Sequence, residues 1–432
     1  MESFKKFLGA FGMVAAMATM TVYAQENGES EDGYSKYRIG GYGEMRAAWK
    51  DYGNNRFYGS SEGSAKKNRG SISIPRFVIA GDYKFNSKWI LGAEIEFESG
   101  GTGIAYEIEN TENGEYETEV EKGGEVAIEQ FHITRMIHPA FNVRVGHMVL
   151  PVGRNNKSHE PIFFFGTTRP EGETTIIPNT WHETGVEFFG EFGRGYGSFD
   201  YQLQVVEGLN ANGFDRNNWA GGASQGIFEE DNFTSPAYVA RLDYVGVPGL
   251  TLGGSFYYCK DAASNSDKQQ TYNFVVPVRI FSADAQYINR YVTARCNFLW
   301  GNISNSSKLS SKNGKLSSAS PYSRTAPIAH KAVSYGGEVG LNVKGIVGND
   351  NCPVIFPFVR YEYYNSQEDV VAPLVADARL KTSMWTAGIN WKPVPQIVVK
   401  ADYTARKIGG GAYNSENEFA VAVAWTGWLA SK

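Results

Sequence analysis

From residue 37 to the C-terminus, apolar and polar side chains alternate with a period of two, segment after segment. Arg38, Gly40, Tyr42, Glu44 and Arg46 fall on one face of an extended strand, and Ile39, Gly41, Gly43, Met45, Ala47 and Trp49 on the other. Trp89, Leu91, Ala93, Ile95 and Phe97 oppose Gly92, Glu94, Glu96 and Glu98 in the same way. So do Val292, Ala294, Cys296, Phe298 and Trp300 against Thr293, Arg295 and Asn297, and Ile397, Val399, Ala401 and Tyr403 against Lys400, Asp402, Thr404 and Arg406. The last segment sets Phe419, Val421, Val423 and Trp425 against Glu418, Ala420, Ala422 and Ala424. Successive side chains of a strand point to opposite faces, so each segment has one apolar and one polar face.

Alternation alone fits both a soluble sandwich and a membrane barrel, and the connections separate the two. The expected strands are 37–49, 71–84, 88–98, 126–137, 141–149, 182–192, 198–206, 236–245, 249–259, 279–287, 291–301, 332–343, 353–364, 380–391, 396–406 and 417–428. Short links (Phe85-Asn86-Ser87, His138-Pro139-Ala140, Gly193 to Gly197, Gly246-Val247-Pro248, Ile288-Asn289-Arg290, Lys392 to Pro395) alternate with long, polar ones. Short turns on one side, long loops on the other and an even strand count describe an all-β, transmembrane antiparallel barrel of about 16 strands. Trp49, Tyr83, Trp89, Tyr257, Tyr258, Trp300, Tyr361, Tyr363, Tyr364, Trp385, Trp391, Trp425 and Trp428 sit at strand ends, where interfacial girdles need aromatics. A barrel of this size encloses a water-filled lumen.

Composition agrees: 49 glycines and 14% aromatic residues favour strands. The N-terminus reads as a secretory signal peptide over 1–24: basic MESFKK, an apolar run from Phe7 to Val22, then Val22-Tyr23-Ala24. A membrane anchor fits less well, because the apolar run is short and broken by Gly9 and Gly12. Residues 25–36 form a short acidic lead-in, and 37–430 a single outer-membrane barrel. Cys259, Cys296 and Cys352 are too scattered for a disulfide framework or a zinc cluster. A net charge of −5 leaves no expectation of a nucleic-acid partner.

Two adjacent His-Glu pairs, His159-Glu160 and His182-Glu183, raise the question of a metallohydrolase. That chemistry needs HExxH on a helix, but positions 163 and 186 are Phe and Val, and Pro161 interrupts a helix from His159. No G-x-S-x-G is present, and no cysteine has a matched histidine. Gly40-Gly41-Tyr42-Gly43 lies inside a strand and opens no phosphate-binding helix. The expectation is therefore no enzyme, no metal and no cofactor; an outer-membrane hydrolase would need His159, His182 and Glu183 to converge.

The segment 151–181 stands apart. It lacks strand alternation and carries Pro151, Pro161, Pro170 and Pro178, which hold a loop in one shape. Its apolar run Ile162 to Phe165, with Phe163, Phe164 and Phe165 as anchor, needs a wall to pack against. This predicts a constriction loop folded into the lumen, with an ordinary external loop as the competing reading. Its charged residues Arg154, Lys157, His159, Glu160, Arg169 and Glu171, with Arg144, Arg76, Arg295 and Arg360 on the barrel-facing strands, are the candidate pore residues. Rings of arginine suit anions; acids on the same faces, such as Glu44, Glu187, Asp243, Glu338, Glu362 and Asp402, equally suit a network of opposed charges stiffening the wall. The outer loops are lopsided. Residues 94–125 are glutamate-rich, while 301–331 carry Lys308, Lys312, Lys315, Arg324 and Lys331 with no acid, and contact with lipopolysaccharide and divalent ions is one reading of both.

The stretches RIGGYGEMR, FNVRVGHMVLPVG and NKSHEPIFFFGTTRPEGETTIIPNTWHETG together resemble Bacteroidetes outer-membrane porins related to the phosphate-selective porin O and P family. The likeness is most specific from Gly146 to Gly185, at Pro151-Val152-Gly153, His159-Glu160-Pro161, Arg169-Pro170 and Ile176-Ile177-Pro178 before Trp181. It implies a sixteen-stranded, usually homotrimeric barrel with an inward loop, placed in the bacterial outer membrane among lipid and lipopolysaccharide, passing small anions or polar solutes. The family's lysine clusters are absent, so phosphate selectivity is not carried over. A non-conducting barrel serving as a binding or assembly platform is the alternative.

Overall fold

The computed structural model describes residues 36–53, 63, 65–101, 104–110, 116–122, 124–221, 224–226, 231–266, 272–316 and 325–432. The expected signal peptide and all but the last residue of the acidic lead-in lie outside the described residues, as does Arg324.

The strands are β1 (Tyr37–Tyr52), β2 (Lys66–Asn86), β3 (Trp89–Glu98), β4 (Ile104–Asn110), β5 (Tyr116–Lys122), β6 (Glu125–His138), β7 (Phe141–Val149), β8 (His182–Phe192), β9 (Phe199–Val206), β10 (Ala237–Val247), β11 (Leu250–Cys259), β12 (Val278–Ile288), β13 (Val292–Ile303), β14 (Lys331–Leu341), β15 (Val354–Asp369), β16 (Lys381–Val394), β17 (Ile397–Ile408) and β18 (Ser415–Ser431). Short helices are α1 (Arg154–Lys157), α2 (Glu171–Ile176), α3 (Ser306–Asn313) and α4 (Val343–Val347). Every strand of the sheet except β4 and β5 joins a closed antiparallel barrel of sixteen, in which β3 pairs with β6 and β1 with β18. β4 and β5 pair with each other as a separate two-stranded antiparallel sheet.

Burial is inverted relative to a soluble protein. On β1, Tyr42 and Glu44 are buried while Ile39, Met45 and Trp49 are at least half exposed. On β17, Lys400, Asp402 and Arg406 are buried and Tyr403 is exposed. Charges inside and large apolar side chains outside are stable only where hydrocarbon surrounds the wall, so the apolar band is the lipid-facing surface of a transmembrane barrel. At the closing seam Gly41 pairs with Gly427, with φ of 156° and 154°. A Cβ on Gly40 would lie 2.1 Å from the Gly427 carbonyl oxygen, and the register shifts between Ile39 and Gly40. The Gly-Gly of RIGGYG thus serves a bulge at which the backbones approach too closely for side chains.

Three features were not expected. The acidic 94–125 segment contains the β4–β5 hairpin. The turn between β14 and β15 is longer than the other turns at its end of the barrel and holds α4, capped by Asn342 at the Gly345 amide. The described part of the basic 301–331 segment is folded rather than a solvated loop: α3 buries Leu309, and Ile328 lies beside it in an apolar core with Leu209, Phe214, Trp219 and Ala262. Trp219 donates to the Ala329 carbonyl at 3.1 Å, and a Cβ on Gly301 would lie 2.1 Å from its ring. The β9–β10, β11–β12 and β13–β14 loops therefore form a roof whose apolar core continues into inward residues of the wall such as Val239 and Leu299.

Phe256→Arg, on the lipid face of β11, is expected to lower the barrel's unfolding free energy in detergent or lipid by ~2–4 kcal/mol. The same change at loop residue Val375, 81% exposed, is expected to cost less than ~0.5 kcal/mol; urea titrations of both variants measure the contrast.

Candidate functional site

The loop between β7 and β8 turns into the barrel. Its two ends are clamped by Asn156, a residue that sequence reasoning passed over. The Asn156 amide donates to the Leu150 carbonyl (2.7 Å) and the Trp181 carbonyl (3.0 Å), and its oxygen accepts from the Trp181 amide (2.5 Å). Gly153, at φ 79°, turns the chain against Glu173, whose Oε1 would lie 1.9 Å from a Cβ at that position. Glu173 accepts from the Asn155 amide and side chain (both 2.9 Å) and from Asn297 on β13 (2.9 Å).

From this base the loop reaches the opposite wall. Lys400 on β17 donates to the carbonyls of Pro161, Phe164 (2.8 Å) and Gly166 (2.9 Å), and its ammonium stands 4.1 Å from the Phe164 ring. Asp402 accepts from the Thr167 amide at 2.5 Å. Glu338 on β14 accepts from the Phe165 amide (3.2 Å), and Glu362 on β15 from the Gly172 amide (3.3 Å). Phe165 stacks on Phe358 at 5.4 Å, and Ile162 packs with Val398 and Ala424, where β18 presents its small inward alanines. β14–β18 lie across the ring from β7 and β8, so the loop ties the barrel across its width. The prolines and the phenylalanine run signalled an inward fold; Lys400, Glu173 and Asn156 carried no local signal of their part in it.

The candidate pore residues separate into paired and unpaired groups. Arg144 meets Glu187 at 2.8 Å, Arg295 meets Glu338 at 2.7 Å, Arg360 meets Glu362 at 3.0 Å, and Arg76 lies 3.7 Å from Glu44 and 3.8 Å from Glu96. Lys157 meets Asp243 at 2.5 Å, and Glu171 accepts from Arg406 and from the Tyr364 hydroxyl (3.0 Å). Glu160 accepts from the Thr426 hydroxyl at 2.8 Å. Arg154 and Arg169 differ: side-chain amides hold them, Gln286 at 2.5 Å and Asn179 at 2.6 Å, and the Nε and Nη2 of buried Arg169 make no hydrogen bond among the described residues. Arg154, Arg295, Arg360 and Glu338 line a small cavity of ≈ 20 Å³ between loop and wall. Burial and the neighbouring Arg295 bring the Arg154 guanidinium down to about 10. The charged wall is thus chiefly a network of opposed charges, with two loop guanidiniums outside it.

The two His-Glu pairs do not assemble a hydrolytic centre. His182 Nδ1 is 2.5 Å from His147 Nε2, while Glu183 accepts from the Trp181 indole (2.8 Å) and the Gly226 amide (3.2 Å). His159 turns to another partner, Glu129 on β6, at 3.6 Å.

The sequence matches no protein-family model. A protein of Aquifex aeolicus (strain VF5) described only as uncharacterized is 25% identical over 416 residues, 93% of this chain and 80% of the relative. Among solved structures, Pseudomonas putida OprB has a TM-score of 0.55 at 11% identity, covering 91% of this chain and 94% of its own. Salmonella typhi OmpF has a TM-score of 0.54 at 11% identity (90% and 98% covered), and an anion-selective porin from Comamonas acidovorans 0.52 at 10% identity (91% and 100% covered). At these identities the likeness shows a shared porin-type barrel fold.

Lys400→Met keeps the apolar stem and removes three charge-assisted hydrogen bonds to the loop; a loss of ~3 kcal/mol in urea unfolding is expected. Glu173 lies on the loop, and burial pushes its carboxyl up to about 7, against ~4.3 in an unfolded chain. The folded chain holds this proton to higher pH, so the contribution to stability is full below the unfolded value and is lost as pH rises through about 7. Urea midpoints of wild type and Glu173→Gln across that window check this: the wild-type advantage should fall with rising pH.

Proposed function

We propose that this chain is a narrow porin of the bacterial outer membrane, passing small polar solutes and ions by passive diffusion, with the 151–181 loop as its constriction. The observation that carries the reading is the loop tied across the interior of a lipid-facing, sixteen-stranded barrel, with its charged residues among those of the wall. A weak anion preference belongs to this proposal. It rests on Arg154 and Arg169, because the wall arginines are matched by carboxylates that cancel most of their field. Kinship with the phosphate-selective porin O and P family and the homotrimer it implies belong to the proposal, supported by the Gly146–Gly185 pattern, as does contact of the outer loops with lipopolysaccharide, supported by the charges of 94–125 and 301–331.

One observation favours a second reading, a barrel that binds or scaffolds without conducting. Inward side chains are tightly covered, with Glu129 and Glu187 at 0% exposure and Arg360 at 2%. Planar-bilayer recordings decide between the two. The porin reading expects stepwise conductance and, in a salt gradient, a reversal potential on the anion side that moves toward zero in the Arg154→Gln/Arg169→Gln double variant. A cation-side potential in the wild type removes the anion preference, and the absence of conductance removes the channel.

A further inference from the structure

The first His-Glu pair has a buried arrangement that neither constriction nor wall stiffening uses. His159 Nδ1 lies 2.9 Å from the Asn156 carbonyl oxygen, so that nitrogen carries the ring's hydrogen and donates it. The bare Nε2 lone pair then faces Glu129 Oε1 at 3.6 Å. Both atoms are fully buried and neither has a hydrogen-bond partner. Two acceptors facing each other away from water repel unless a proton or a cation lies between them. The rest of Glu129 is fixed, since its Oε2 accepts from the Tyr42 hydroxyl at 3.0 Å. Glu94 on β3 comes alongside, oriented by Gln130 at 2.5 Å. One ligating atom each of His159, Glu129 and Glu94 lies within 4.8 Å of the other two. Ligands about 2.1 Å from a shared ion span up to about 4.2 Å, so sub-ångström shifts bring all three into reach.

Charge points the same way. Glu44, Glu94, Glu96 and Glu129 share this stretch of wall, and among the described residues their ion pairs come from Arg76 and His159. With a neutral imidazole, Arg76 is the one cation among the described residues in ion-pair contact with these four carboxyls, while Arg144 acts on Glu94 and Lys400 on Glu44 from farther off, and a divalent ion would offset the remaining acidity. The donor set selects the ion class. An imidazole with two carboxylates suits Zn²⁺, Mn²⁺ or Fe²⁺, whereas Ca²⁺ and Mg²⁺ prefer oxygen alone. A ligating histidine whose other nitrogen donates to a backbone carbonyl is the usual orienting arrangement.

We propose that His159, Glu129 and Glu94 bind a divalent transition-metal ion that staples the inward loop to β3 and β6. The partners of the histidine are strand glutamates distant in sequence, which is why the HExxH spacing test misses the site. The test uses the full folded barrel, treated with chelator and titrated with Co²⁺ and then Zn²⁺. One Co²⁺ per chain is expected, with visible d–d absorption that Zn²⁺ abolishes. His159→Gln and Glu129→Gln should each weaken binding tenfold or more, while Asp350→Asn, at an exposed turn, should leave it unchanged. A wild-type barrel that gives no stoichiometric cobalt spectrum overturns the proposal and leaves an imidazolium–glutamate ion pair; so do variants that bind as tightly as wild type. The wild-type titration stands even if a variant fails to fold. Conductance plays no part in it: a barrel that binds cobalt but passes no current removes the channel reading and keeps the metal site.

Discussion

The pairing of β1 with β18 is the contact on which the other features rest. Hydrocarbon offers no partner to a backbone amide or carbonyl, so a strand edge left open in a membrane would cost several kcal/mol per group. Closing the ring satisfies those groups and forces a division of labour on the side chains. The outer face must be apolar, and whatever is charged must turn inward. Once inside, charges lose bulk water and need partners, which accounts for the ion pairs of Arg144, Arg295, Arg360 and Arg406 and for the amide, carbonyl and hydroxyl bonds around the loop.

That reasoning explains why so much of the barrel was legible. Each of the sixteen expected segments is a strand of the ring, with ends displaced by a few residues; β2 begins at Lys66 rather than 71, and β15 continues to Asp369. Period-two alternation is a local signal, and lipid on one side with charge on the other enforces it. The β4–β5 hairpin lies outside the ring and is free of that constraint. The roof was illegible for a different reason. Trp219, Ala262 and Leu309 come from different loops, and nothing near any of them in sequence reports the apolar core they share.

The loop shows the same boundary within one segment. Its prolines and phenylalanines are properties of residues 151–181 themselves, and they signalled an inward-packed, shaped loop. Its partners are not. Lys400 reads locally as one more polar residue on β17, Glu173 as one more loop acid, and Glu129 as one more inward glutamate. Their roles come from the far side of the ring. Reading His159 with its sequence neighbour Glu160 failed for that reason: Glu160 accepts from Thr426, while the imidazole faces β6.

The tie between loop and far wall also bears on how the chain reaches this state. Thr167 and Asp402 are 235 residues apart, and Glu160 and Thr426 are 266 apart. Contacts so distant form late, after the entropy of a long closed loop has been lost. The loop's contacts with β10, β12 and β13 can form earlier, but its docking on β17 and β18 waits for the C-terminal strands, so ring closure and the last of loop docking complete each other. Before that moment its phenylalanines and charges are exposed together on an unfinished sheet, the interval in which a growing barrel of this design most needs an escort.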